Sequence, residues 1–158
     1  LTRAKKVVQS CRDQGVIVRC YYVLGFPGET KEMIEETISF SASISSDWSV
    51  YNLASPLSGT EMFDTLLNDG IIGDDFNWDD SFYHDRSYDS PEITADQLKI
   101  IADRANIKNN FFHNYNLRIG QFDRAIVLFE DILHSYPEHL AAKYCCAIAH
   151  MGKGDINL

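Results

Sequence analysis

The sequence has few basic residues and no long hydrophobic run. Lysine and arginine number 14 against 23 aspartates and glutamates, so the formal net charge is −9. This charge opposes non-specific attraction to a nucleic-acid backbone or an anionic membrane surface, and we expect no direct nucleic-acid binding. No stretch approaches about 18 apolar residues, and residues 1–6 do not resemble a signal peptide. The sequence therefore predicts a cytoplasmic protein without a membrane span.

Cysteine is scarce as well, and its spacing argues against two common kinds of site. The four cysteines are Cys11, Cys20, Cys145 and Cys146. These positions fit neither the disulfide framework of a small secreted protein nor the paired ligands of a zinc site, and the histidines have no metal-site spacing. We predict buried, reduced thiols and no metal site in this chain.

Hydrophobic periodicity predicts alternating helices and strands in the first 70 residues. Residues 1–14 have the apolar spacing of an amphipathic helix, and residues 16–24 resemble a strand that is buried on both faces. A second helix follows Thr30, and a second strand is predicted at residues 48–55. This order is typical of an α/β barrel or a doubly wound sheet. Because the helical pattern begins at Leu1 without a preceding Met, we interpret the chain as a segment of a longer protein.

The rest of the chain is predicted to be organised differently. A short helix over residues 61–68 precedes an acidic connector with little periodicity at residues 71–93. Thr94 and Gln97 have the spacing of a capping box, so a long helix is predicted from there through Ile107 toward Asn114. Beyond it the pattern is all-helical. We therefore predict three segments: α/β units over residues 1–70, the connector over 71–93, and a helical part over 94–158.

A glycine-rich turn ends the first predicted strand. Its residues, followed by the start of a helix, are Gly25, Phe26, Pro27, Gly28, Glu29 and Thr30. Ligands bind at the carboxyl ends of strands in parallel sheets, and glycine lets backbone amides approach them closely. The turn lacks the lysine of a P-loop, so nucleoside triphosphate binding is not expected. A ligand site and a merely structural turn are both consistent with these residues.

Two segments resemble radical S-adenosylmethionine enzymes, in particular the cobalamin-binding and methylthiotransferase branches. Residues 24–30 resemble the Gly-Phe-Pro-Gly-Glu-Thr segment of that family, and residues 56–60 resemble its Pro-x-x-Gly-Thr turn one βα unit later. The resemblance covers about residues 1–92 and implies the C-terminal portion of a partial TIM-type (β/α)6 barrel. It also implies that Gly25–Thr30 contact the adenosine side of S-adenosylmethionine. Pro56, Gly59 and Thr60 would then line one side of the opening of the same binding site, which we call the substrate mouth.

The chain departs from that family in its cysteines. Such enzymes hold a [4Fe–4S] cluster with a Cys-x3-Cys-x2-Cys motif and use it to cleave S-adenosylmethionine to a 5′-deoxyadenosyl radical, and this motif is absent here. We therefore expect the chain to supply cofactor and substrate loops of a longer radical S-adenosylmethionine enzyme and to be inactive alone. The cluster and S-adenosylmethionine would be the parent's cofactors. Cobalamin is a further cofactor of one of the branches, and neither the substrate nor the reaction subclass follows from the sequence.

Arg19 is a candidate for the substrate mouth. In a strand, Ile17, Arg19, Tyr21 and Val23 share one face, which would look into the barrel. An arginine there needs an anion or hydrogen-bond acceptors, so it would hold a carboxylate of the substrate or cofactor. The alternative is an edge strand that leaves Arg19 in solvent.

The last third resembles a tetratricopeptide repeat. The pattern consists of Gly120, Phe122, Ala125, Phe129, Leu133 and Pro137, and Gly154 follows Gly120 by the period of that repeat, 34 residues. A peptide-binding groove and a structural cap are both consistent with it. The rival to the enzyme hypothesis is a non-catalytic interaction module that uses these helices. An incomplete repeat and an incomplete barrel leave apolar faces unpaired, so we predict self-association of the chain.

Overall fold

A computed structural model describes residues 2–73, 75–77 and 85–154. Residues 74 and 78–84 of the predicted acidic connector, with Asp74, Asp79 and Asp80, lie outside this set. The chain divides into two compact units. The first unit contains residues 1–20, 42–49 and 106–158, and the second contains residues 21–41 and 50–105. Each unit therefore combines stretches that are distant in sequence, and the three consecutive segments remain a prediction.

The described residues form seven α-helices, two strands and one π-helical segment. In chain order they are α1 (Thr2–Asp13), β1 (Arg19–Leu24), α2 (Lys31–Ser43), β2 (Trp48–Leu53), α3 (Glu61–Asn68), α4 (Ala95–Ile107), the π-helical segment (Lys108–Phe112), α5 (Tyr115–Arg118), α6 (Phe122–Ser135) and α7 (Leu140–Lys153). Strands β1 and β2 pair in parallel in a two-stranded sheet. The mixed α/β class is thus confirmed, and the barrel remains a proposal. None of the helices among the described residues has the length and apolar character needed to cross a membrane.

Strand β1 is shorter than predicted and is covered on one face. The pairing with β2 begins one residue before β1, at Val18. The Val18 carbonyl oxygen accepts the N–H groups of Asp47 and Trp48 at 2.9 and 3.2 Å. Side chains then alternate between covered and exposed, ending with Leu24 fully buried and with Tyr21 66% exposed. The expectation of a strand buried on both faces is therefore wrong for the described residues. Helices α2 and α4 supply apolar partners for one face, in a core that contains Leu24, Ile34, Tyr51, Leu53 and Leu98.

Local capping signals are realised as the residue types predict. The Thr94 hydroxyl oxygen accepts the Gln97 N–H at 3.2 Å, and the Gln97 side-chain oxygen accepts the Thr94 N–H at 3.3 Å. This reciprocal pair is the predicted capping box and fixes the start of α4. The helical pattern continues through the π-helical segment to Phe112, close to the predicted end.

Helices α6 and α7 pack together in the first unit. Their shared core includes Phe111, Phe129 and Cys145, and Gly152 of α7 lies so close to the Phe122 ring that a Cβ would come within 2.4 Å of it. Cys145 and Cys146 are buried free thiols, as predicted, and burial raises the pKa of both. Cys11 and Cys20 are free and only half-buried.

A buried charge cluster surrounds Asp47 in the first unit. The Asp47 carboxylate accepts hydrogen bonds from Arg12, from Arg124 at 2.7 and 3.0 Å, from the Asn116 amide at 3.0 Å and from the Val18 N–H at 2.8 Å. Both carboxylate oxygens are therefore fully engaged. The cluster joins α1, the start of β2 and the helices after residue 106 into one unit. No local sequence pattern marks this cluster, because its members lie up to 112 residues apart in sequence, from Arg12 to Arg124.

Candidate functional site

The two predicted turns follow neighbouring strands and meet at one edge of the sheet. The N–H of Ala54 donates to the carbonyl oxygen of Leu24 at 2.8 Å, which extends the β1–β2 pairing one residue past β2. Because the strands are parallel, Gly25 and Ser55 then leave the sheet at the same carboxyl edge. This is the edge at which open and closed parallel sheets bind their ligands.

Pro27 and Gly28 form the corner of a tight turn. The Glu29 N–H donates to the Phe26 carbonyl oxygen at 2.9 Å, and Gly28 has a φ of 77°. Proline followed by a residue with positive φ is the residue pattern of a type II turn, which explains both residue types. None of the described residues has an atom within 4 Å of the position of a Cβ at Gly28, and the Phe26 side chain is 49% exposed. The outer face of the turn is therefore open.

Glu29 satisfies the backbone amides of its own turn. Its carboxylate oxygen Oε2 accepts the N–H groups of Gly25 at 2.5 Å and Phe26 at 3.2 Å. These are amides that a ligand at this turn would be expected to use, and in this structure they are engaged by Glu29. Thr30 begins α2, and its hydroxyl oxygen accepts the Met33 N–H at 3.4 Å. Both residues therefore shape the turn directly.

Gly25 is the most tightly packed position of the turn. It has a φ of 86°, and a Cβ there would lie 2.4 Å from Cδ2 of Leu98 and 3.2 Å from Nη1 of Arg86. Any larger residue would have to displace the α4 side chain that covers it. The glycine thus permits the close approach of α4 to the end of β1.

The second turn is anchored by Pro56 and Thr60. Pro56 is fully buried. Gly59 has a φ of 80°, and in the described part of the chain no atom lies within 4 Å of the position of a Cβ there. The Thr60 hydroxyl donates to the Leu57 carbonyl oxygen at 2.6 Å and accepts the Phe63 N–H at 3.3 Å, which caps α3. One residue before Pro56, the Ser55 hydroxyl oxygen is buried and has no hydrogen-bond partner among the described residues.

Arg86 is a residue of this edge that the sequence analysis did not identify. It is only 3% exposed, and its guanidinium donates to the carbonyl oxygens of Ile93 at 2.7 Å and Gly25 at 3.3 Å. The guanidinium carbon lies 4.7 Å from the ring centre of Tyr88, whose hydroxyl donates to the Ala54 carbonyl oxygen at 3.4 Å. Arg86 and Tyr88 therefore contact the ends of both strands. The sequence signal for it is an arginine two residues before a tyrosine in an otherwise acidic segment.

Tyr88 has a perturbed acidity in this environment. Burial raises the pKa of its phenol, and the neighbouring Arg86 charge opposes that rise without cancelling it. The phenol therefore stays protonated and remains a hydrogen-bond donor at neutral pH.

Arg19 lies in the first unit and has a carboxylate partner there. Its guanidinium donates to the Asp131 carboxylate at 2.9 Å, and the two side chains are 46% and 61% exposed. A largely exposed Arg19 side chain is what the alternative of an edge strand predicts. A role for Arg19 in the substrate mouth remains a prediction.

A small pocket lies beside the start of α2 in the second unit. Its volume is about 160 Å³, and it is lined by Lys31, Glu92, Ile93, Gln97, Ile100 and Ile101. Three isoleucines form its apolar wall. Ile93 belongs both to this wall and, through its carbonyl oxygen, to the surroundings of Arg86.

Comparison with known proteins gives one distant similarity. No family model matches the chain, and no solved structure matches it. A segment of 65 residues, 41% of the chain, is 26% identical to an uncharacterized methyltransferase of Pyrococcus horikoshii, PH0819. The matched segment covers 14% of that protein.

Proposed function

We propose that this chain supplies the cofactor and substrate loops of a radical S-adenosylmethionine enzyme, as the last βα units of its barrel. The observation that carries the proposal is the hydrogen bond from the Ala54 N–H to the Leu24 carbonyl oxygen. Because of it, the two turns that resemble the radical S-adenosylmethionine family lie at one carboxyl edge of the sheet. Similarity to a protein named as a methyltransferase supports the use of S-adenosylmethionine. The remaining strands of the barrel would come from the longer protein.

The residues of the edge fit a bound S-adenosylmethionine but not the iron–sulfur cluster. The chain has no three cysteines on one loop, so its own residues do not fit a [4Fe–4S] cluster, and the cluster ligands must come from elsewhere in the parent. The open face of the Gly28 turn and the exposed Phe26 ring offer an apolar surface to an adenine ring. When bound and reduced, S-adenosylmethionine supplies a 5′-deoxyadenosyl radical.

The chain's own residues hold the shape of this mouth. The Glu29 carboxylate accepts both the Gly25 and the Phe26 N–H groups, which holds the backbone of the turn in place. Leu98 of α4 packs against Gly25, and Thr60 holds the second turn, residues 56–60, in place by capping α3. Contacts of this kind, between a binding loop and the residues behind it, hold the loop in its binding conformation before the ligand binds.

The direct test is the longer protein that contains this chain. Purified without oxygen and reconstituted with iron and sulfide, it should convert S-adenosylmethionine to 5′-deoxyadenosine in the presence of a reductant. A Cys-x3-Cys-x2-Cys motif ahead of Leu1 is expected in the same protein. Reconstituted protein that contains no cluster and forms no 5′-deoxyadenosine would refute the proposal.

A protein-interaction module is the second candidate, and α7 favours it. Leu140, Tyr144, Ile148 and Met151 follow one face of that helix, and all four are exposed. An apolar stripe of this kind is typical of a surface that another helix covers. If the longer protein lacks the cysteine motif but its association is lost on changing Tyr144 and Met151 to lysine, this second function is favoured.

A further inference from the structure

Arg86 is a buried cation that has no anionic partner in the part of the chain that the structure describes. Among the described residues no carboxylate lies within salt-bridge distance of its guanidinium. The acidic residues nearest in sequence are engaged elsewhere: Asp85 pairs with Lys99 at 2.9 Å, and Asp89 accepts the Ala95 N–H at 2.8 Å. Arg86 thus differs from Arg12, whose buried guanidinium meets the Asp47 carboxylate.

The hydrogen bonds that Arg86 does make leave it under-satisfied. Its two terminal nitrogens donate to the carbonyl oxygens of Gly25 and Ile93, whereas Nε–H is buried and has no partner among the described residues. Burying a guanidinium is costly unless an anion compensates its charge, and carbonyl dipoles compensate it only in part. The unused Nε–H beside a terminal N–H is the edge of arginine that binds carboxylate and phosphate groups with two parallel hydrogen bonds.

A second unused donor belongs to the same edge of the sheet. The Ser55 hydroxyl oxygen is buried and has no hydrogen-bond partner among residues 2–73, 75–77 and 85–154. Ser55 directly follows Ala54, whose carbonyl oxygen accepts the Tyr88 hydroxyl. The Tyr88 ring in turn lies under the Arg86 guanidinium, 4.7 Å from its carbon. Two unsatisfied donors at the ligand-binding edge of a parallel sheet are unusual in a purely structural core.

We propose that Arg86 binds a carboxylate or phosphate group of a small ligand at the carboxyl edge of the β1–β2 sheet, with Ser55 as an additional donor. Two sources supply this chemistry: the carboxylate of S-adenosylmethionine and an acidic group of the second substrate. The first source rests on the proposed function, whereas the second does not. Arg86 would orient the ligand over the Gly25–Gly28 turn, because its Nη1 is already held on the Gly25 carbonyl oxygen.

The test uses the 158-residue chain and the NMR signal of the Arg86 Nε–H group. Separate titrations use S-adenosylmethionine, 5′-methylthioadenosine, which lacks the amino-acid carboxylate, and inorganic phosphate. Arg86→Lys identifies the signal by its loss, and the titrations themselves are made on the unchanged protein. Arg104, which is exposed on α4, provides the control arginine.

The outcomes separate the two sources. A saturable shift of the Arg86 signal with S-adenosylmethionine but not with 5′-methylthioadenosine assigns the site to the cofactor carboxylate. A saturable shift with phosphate alone assigns it to an acidic substrate. In either case Arg86→Gln should weaken binding about tenfold or more, while Arg104→Gln leaves it unchanged.

The proposal is overturned if no probe shifts the Arg86 signal saturably, or if Arg104 shifts in parallel with it. Arg86 would then be a purely structural link between Gly25 and Ile93. That result leaves the proposed function standing, because the formation of 5′-deoxyadenosine by the longer protein is measured independently of Arg86.

Discussion

Replacing Asp47 with asparagine should strongly destabilise the first unit. The change removes the negative charge that pairs with the guanidiniums of Arg12 and Arg124, whose side chains are 5% and 21% exposed. Removing one partner of a buried ion pair typically costs about 3–5 kcal/mol, because the remaining charge stays buried. Asparagine keeps the shape and one acceptor oxygen, so we expect a loss of about 3 kcal/mol. Native domains are stable by only about 5–15 kcal/mol, so the effect is easily measured.

The assay is urea unfolding followed by circular dichroism, with Asp131→Asn as the matched control. Asp131 also pairs with an arginine, but that pair with Arg19 is exposed on both sides. Exposed pairs contribute about 1 kcal/mol or less, so the control should change stability little. If Asp47→Asn costs no more than Asp131→Asn, the cluster does not stabilise the unit and the reasoning is refuted.

The same variant predicts a pH dependence. Burial acts to raise the pKa of Asp47, but hydrogen bonds from Arg124, Val18 and Asn116 and the charge of Arg12 outweigh it and hold the pKa below the usual 3.8. A lowered pKa in the folded state stabilises the protein above the unfolded pKa, and this stabilisation is lost as the pH falls through the folded value. The difference between the wild type and Asp47→Asn should therefore be full at neutral pH and shrink below pH 3.8.

Three further predictions concern the Gly25–Gly28 turn, the exposed apolar faces and the absence of an iron–sulfur cluster from the purified chain. Gly25→Ala places a Cβ 2.4 Å from Leu98 and should lower the free energy of unfolding in urea by about 2 kcal/mol or more. Gly28→Ala should lower it by only about 1–2 kcal/mol, because the positive φ of Gly28 is its only strain. Equal losses would contradict the packing argument. The chain should self-associate in light scattering at micromolar concentration, and changing Tyr144 and Met151 to lysine should reduce this, whereas a monodisperse wild-type monomer would refute the prediction. The purified chain should be colourless after iron reconstitution, and about four irons bound per chain would contradict this expectation.

Features encoded by neighbouring residues followed from the sequence. Helix caps and tight turns depend on contacts within about four residues, so Thr94 with Gln97, and Pro27 with Gly28, indicate their own geometry. The side chains that share one face of β1 likewise followed from the two-residue period of a strand, whereas the exposure of that face did not, because the strand was expected to be buried on both faces. Unpaired apolar faces were expected from the incomplete barrel and the incomplete repeat, and Tyr21 of β1 and Tyr144 of α7 are exposed.

Contacts between distant residues were decided only by the tertiary structure. Asp47 meets Arg12 and Arg124 from positions 35 and 77 residues away, and Arg86 reaches Gly25 across 61 residues. No local pattern marks such pairs, because a buried charge is stable only where the folded chain supplies its partners, and those partners are fixed by packing rather than by spacing. For the same reason the grouping of the C-terminal helices with α1, and the burial of Arg86 with no carboxylate partner among the described residues, became visible only once the chain was folded.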